Sequence, residues 1–165
     1  MIQAFQQRTI IGIDPGYGRI GVGVIRHEKA GLRNISYSCL MPPKGPFPDR
    51  LAHIYSALTA LFVEHAPSII SIEKLFFFKN ATTAIDVAQA RGVMLLAAQH
   101  LAIPICEFTP LQVKLAVSGY GRADKLQMQK MVKILLSLPT LPKPDDAADA
   151  LALAICASTY NKHYS

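Results

Sequence analysis

Four acidic side chains occupy positions where acids are costly. Asp14 ends the apolar run TIIGID (9–14), and Glu73 ends SIISIE (68–73). Runs this short and this apolar read as strands covered on both faces. An ionised carboxylate at the tip of such a strand is unfavourable unless something pairs with it. Asp146 and Asp149 lie in PDDAADALALAI (144–155), whose remaining residues after Asp145 are only Ala, Leu and Ile. Three residues apart on a helix, their carboxylates share a face.

Each acid also has a plainer reading. Asp146-x-x-Asp149 is spaced like a capping box, and Asp145 could cap while its neighbours sit near the positive end of the helix dipole. The D-P-G that begins at Asp14 is turn chemistry, and Glu73 could pair with a nearby lysine. Convergence would change the balance. Open α/β sheets carry their sites at the carboxyl ends of the strands. Four carboxylates gathered there would repel one another, and hard divalent cations relieve that repulsion. Oxygen donors without His or Cys at ligand spacing suit Mg2+ or Mn2+. Two such ions about 4 Å apart can activate a water and stabilise the leaving oxygen of a phosphodiester.

The charge distribution supplies the substrate class. The net charge is +6, and residues 74–143 hold nine basic and three acidic side chains, so the excess lies in the middle of the chain. A basic centre between neutral ends suits a polyanion. Acids for metal and a basic surface for phosphates together describe a metal-dependent nuclease.

These residues need a frame to position them. After TIIGID and the loop residues GYGR, IGVGVIR (20–26) alternates as a strand, and LRNISYSCL (32–40) makes a third. PPKGPFPD (42–49) is an irregular connection. Apolar residues at helical spacing follow from Arg50 to about His65. SIISIE is the fourth strand and IPICEF (103–108) the fifth, with a long helix over about 81–100 between them. Ala84, Ala88 and Gly92 form a small-residue stripe on that helix, which permits close helix approach. Helices are expected over about 110–117, 123–138 and 146–159. The order β-β-β-α-β-α-β-α-α-α predicts an α/β fold: a mixed five-stranded sheet with helices on both faces and right-handed parallel crossovers.

With 165 residues, 51% of them hydrophobic, the chain suits one domain with a full core. Cys39, Cys106 and Cys156 are scattered and odd in number, against a disulfide framework or zinc site. No apolar run approaches the roughly 20 residues of a membrane span, and MIQAFQQRTI lacks signal-peptide features. A cytoplasmic protein without membrane contact is expected.

IIGIDPGYGRIGVGVI, ISIEKLFFFKN, AQARGV, QVK, GYGRADK and DDAADALALAI follow one another in the order of the RuvC family of bacterial Holliday-junction resolvases, which the chain resembles from about Thr9 to Ile155. The resemblance implies a ribonuclease-H-like fold over residues 1–165, with 1–8 as an extension. It also implies a homodimer joined through the long helix, and paired symmetric nicks across four-way DNA junctions with Mg2+ or Mn2+, two ions per site. By motif, the catalytic and metal-binding acids are Asp14, Glu73, Asp146 and Asp149, and Asp145 is left to capping or solvent. Phe76 matches the aromatic that packs on a base near the junction centre, and Lys114 and Lys125 match basic residues at the scissile phosphate. Lys79 and Arg122, within the same motifs, are further DNA contacts. A branch-migration motor is the implied partner complex. Lys74, where the family more often has Gln, is a departure. GYGRIGVGV is also similar to the YqgF-type nucleases of RNA processing, which keeps that alternative open beside a non-catalytic junction-binding protein.

Overall fold

The computed structural model describes residues 6–75 and 81–159. Their elements are β1 (Arg8–Asp14), β2 (Ile20–Glu28), β3 (Gly31–Leu40), α1 (Phe47–His65), β4 (Ile69–Glu73), α2 (Ala81–His100), β5 (Ile105–Phe108), α3 (Pro110–Ser118), α4 (Lys125–Leu135) and α5 (Asp145–Ser158). The sheet order is β3-β2-β1-β4-β5. β1, β2 and β3 form an antiparallel meander. β4 joins β1, and β5 joins β4, in parallel. The expected mixed sheet is therefore present, and no described helix is long and apolar enough to cross a membrane.

Alternation along β1 divides the core into two layers. Ile11 and Ile13 pack with Ile54, Leu58 and Phe62 of α1 and Met94 of α2. Ile10 faces the other way, into the layer of α3, α4 and α5. Asp14 shares the α5 side, since its position is even like that of Ile10. The first strand pair thus points a carboxylate at the layer that carries Asp146 and Asp149.

Glycines set how closely that layer approaches. Gly12 pairs with Gly23, and Asp14 with Gly21, across β1 and β2. A Cβ on Gly12 would overlap the carbonyl oxygen of Ala150, and one on Gly21 that of Asp146. One on Gly23 would stand 2.7 Å from the amide nitrogen of Leu151. Helix α5 therefore lies backbone against backbone on β1 and β2, closer than any side chain would permit. Ser71 of β4, fully buried, donates its hydroxyl to the Leu153 carbonyl at 2.7 Å. Its polar atom is satisfied, and α5 is tied to a third strand.

Helix starts differ from expectation by a few residues, for local reasons. α1 begins at Phe47 because a proline in its first turn is already preset for helix. α4 begins at Lys125 because Asp124 caps it, in a reciprocal box with Gln127.

Candidate active site

Asp14, Glu73 and Asp149 line one cleft of about 250 Å3, together with Lys114 of α3 and Lys125 of α4. β1 and β4 are adjacent and parallel, which puts both strand-end acids at the same edge. Asp146 turns from the cleft toward Arg19, with Nη1 and Oδ2 3.4 Å apart. Both side chains of that pair are partly exposed, so it is worth little.

The capping readings do not hold. Pro144 is the N-cap of α5, after a cis Lys143–Pro144 bond, and no side chain caps the helix. Asp145 and Asp146 occupy its first turn, where their charge suits the dipole, and Asp149 is one turn on. Asp145 is exposed, as expected, but it is not idle. Lys125 Nζ stands 3.1 Å from it and Gln129 Nε2 donates to it at 2.8 Å. It braces α4 against the start of α5.

Charge crowding in the cleft is large. Burial, then the charges of Asp149, Glu73 and Asp146, push the Asp14 carboxyl up to about 8, against a lowering pull from Lys125. Burial and then Asp149 also raise Glu73. Burial raises Asp149, opposed by Lys125, whose Nζ is 3.7 Å from its carboxylate. Partial burial works against the Lys125 charge, but its hydrogen bond with Asp145 and the charges of Asp149, Asp145 and Asp146 prevail and raise it. Among the described residues, no three His, Cys, Asp or Glu side chains close on one point as a finished metal site. In donor type and charge the acids fit a hard divalent cation. Weak, partly exposed pairs to Arg19 and Lys125 hold Asp146 and Asp149, and a cation could displace them.

Two arginines that the sequence left unremarked hold the site in place. Arg91 of α2 donates from Nε to the Glu73 carbonyl at 3.0 Å and pairs through Nη2 with Glu107 of β5. It fastens the end of β4 to its neighbours. A long basic side chain among the small residues of AQARGV was the available signal. Arg50 of α1 donates to the Tyr17 carbonyl at 2.6 Å and stacks over the Tyr17 ring. That anchors the loop between β1 and β2, which carries Arg19. Of the other expected DNA contacts, Lys114 and Lys125 are at the cleft, whereas Arg122 is exposed and is not among its lining residues. Phe76 and Lys79 lie outside the described residues.

The family model for "Crossover junction endodeoxyribonuclease RuvC" matches residues 10–157, from within β1 to the last turn of α5. The chain belongs to the RuvC family. It is 52% identical over 148 residues to the RuvC of Desulfitobacterium hafniense, covering 89% of this chain and 90% of that protein. To the RuvC of Rubrobacter xylanophilus it is 48% identical over 157 residues, covering 94% and 88%. The structure of Thermus thermophilus RuvC in complex with a Holliday junction substrate superposes with a TM-score of 0.86 at 30% identity, over 92% of this chain and 93% of that one.

Proposed function

We propose that this RuvC-family chain is an endonuclease that resolves four-way DNA junctions. It would make paired, symmetric nicks with Mg2+ or Mn2+ held by Asp14, Glu73, Asp146 and Asp149. The observation that carries this reading is the cleft at the strand ends, where three partly buried carboxylates meet two lysines. Carboxylates alone would repel a phosphodiester. The elevated Asp14 carboxyl reports that a positive charge is wanted there.

When bound, divalent ions supply Lewis acidity to the phosphate and make a water acidic enough to attack. The protein's own residues do the rest. Lys114 and Lys125 approach the phosphate from the helical side and hold its non-bridging oxygens, and Lys125 offsets charge that develops on phosphorus oxygens. One of the carboxylates orients the attacking water and takes its proton. Ser71 and the glycine seat keep Asp149 at a fixed distance from Asp14 throughout.

A single site cannot make two symmetric nicks, so the reading includes a two-fold dimer. Helix α2 supports it: Ile85 and Leu96 are exposed, and Gly92 of the small-residue stripe has nothing within 4 Å of a built Cβ. At Gly92 the stripe is exposed and open to a second copy.

The test is direct. A synthetic four-way junction, a linear duplex and a structured RNA are each incubated with the protein in Mg2+ or in chelator. Nicking of the junction alone, in Mg2+ alone, is expected. Cleavage of the RNA with the junction intact would favour RNA processing instead.

A further inference from the structure

A second cluster of positive charge lies away from the cleft. Tyr37, Lys133, Thr140 and Lys143 surround an open hollow of about 540 Å3 between α4, β3 and the segment that leads into α5. Neither lysine has an acidic side chain within ion-pair distance among the described residues. This distinguishes them from Lys125, which is held by acids.

The hollow can be placed relative to the acids by register. Asp14, Gly21 and Cys39 form one row across β1, β2 and β3, and Gly12, Gly23 and Tyr37 form the next row on that face. Two strand spacings and two residues along put Tyr37 roughly 12 Å from Asp14. Helix α4 gives the same answer independently. Lys125, Gln129 and Lys133 recur every four residues and so share a stripe. The first two bind Asp145, and the third, about 12 Å from Lys125 along the axis, reaches the hollow. One side of α4 thus runs from the acids to two unpaired cations.

We infer that this hollow is a second phosphate-binding site, at which Lys133 and Lys143 hold the backbone of a junction arm beyond the scissile bond. The inference rests on the junction-nuclease reading. Tyr37 and Thr140 contribute hydroxyls suited to phosphate oxygens. A span of about 12 Å at 3.4 Å per nucleotide places the contacts about three or four base pairs from the nick.

The experiment measures junction affinity by fluorescence anisotropy in chelator over a series of salt concentrations. Removing two phosphate contacts from each subunit, four from a two-fold dimer on its junction, reduces the slope of log K against log salt by about 3.6. K133Q/K143Q is expected to show that loss, with nicking at saturating junction unchanged. K133R/K143R should restore the slope. K29Q, at the β2–β3 hairpin on the opposite end of the sheet, should retain the wild-type value. A junction scan with single neutral methylphosphonates locates the partner. Neutralising the phosphate three or four base pairs from the nick should weaken the wild type but not the double variant. An unchanged slope in K133Q/K143Q, or equal effects of the neutral phosphate on both proteins, overturns the inference and leaves the junction reading standing. A wild-type protein that does not bind the junction removes both.

Discussion

Asp14 sits in the least comfortable position of any described carboxylate, and its titration is a handle on the site. Its folded-state pKa of about 8 lies above the ordinary 3.8. The folded chain therefore holds this proton more tightly than the unfolded chain. The associated stability is fully present below about pH 4 and is lost as pH rises through about 8. In chelator, the melting temperature of the wild type should fall across that interval, and Asp14→Asn should flatten the fall. Adding Mg2+ at pH 8 should raise the wild-type melting temperature and leave that of D14N nearly unmoved. A wild-type melting temperature independent of pH over this range would argue against the crowding. Asp149→Asn should keep junction binding while reducing nicking by at least a hundredfold, on the order expected when a group acts mainly in the transition state. Gel shift in chelator and a nicking assay in Mg2+ separate the two effects. Asp14 and Glu73 stood out in the sequence because carboxylates at apolar strand ends are anomalous, whereas the spacing of Asp146 and Asp149 suited a capping box as well and only the family motif set them apart. The role of Asp145 was not, since a brace to α4 depends on how two helices meet in space.

Elements explain why the carboxylates face one another, and here sequence patterns carried further for strands than for contacts. Buried runs and helical periodicity gave the order, and the boundaries moved by up to three residues, at the starts of α1 and α4 where Pro48 and Asp124 act locally and also at the end of α4, the start of β5 and the end of β2. The use of Gly12, Gly21 and Gly23 as a seat was hidden, because a glycine in a strand does not name what approaches it. Gly23→Ala should destabilise the fold by about 1–3 kcal/mol, the usual range for overpacking. Urea unfolding would measure it, and no change would mean that α5 can lift at little cost. Arg91 makes a different prediction. Arg91→Gln should lower the nicking rate at saturating junction with affinity nearly intact, because it frees the end of β4 and not a DNA contact. Arg91→Lys should recover less than half of that loss, since one ammonium cannot reach both the Glu73 carbonyl and Glu107. Equal loss of affinity and rate in R91Q would instead mark a general loss of structure.

At the scale of the whole molecule, the basic middle of the chain divides into parts. Arg91 is tied to Glu107 within the fold and Lys125 pairs loosely with Asp145 and Asp149, whereas Lys133 and Lys143 have no acidic side chain within ion-pair distance among the described residues. Net charge pointed to a polyanion but could not show this division, which depends on which acids fold back onto which cations. The stripe of Ala84, Ala88 and Gly92 was legible as a surface for close approach, though the sequence did not show that Gly92 would be exposed while Ala84 and Ala88 are half-buried. If it joins two copies, Gly92→Phe should convert a dimer to a monomer in sedimentation equilibrium. It should also reduce paired nicking far more than single nicking. A wild-type monomer, or an unaltered mass in G92F, would count against pairing through α2.

The contact of α5 with the sheet has a bearing on how the site could vary. Where side chains separate a helix from a sheet, swapping Leu for Ile or Val shifts the gap. Here the spacer between Asp14 and the helix acids is peptide against peptide, so the gap has a hard stop. Repacking Leu153 or Ile155 would alter how firmly the helix is pressed down, and hence stability, but could not bring the carboxylates closer. The opening for cations has a fixed gauge, and mutations elsewhere in this layer change the chance that the site is assembled more than its dimensions.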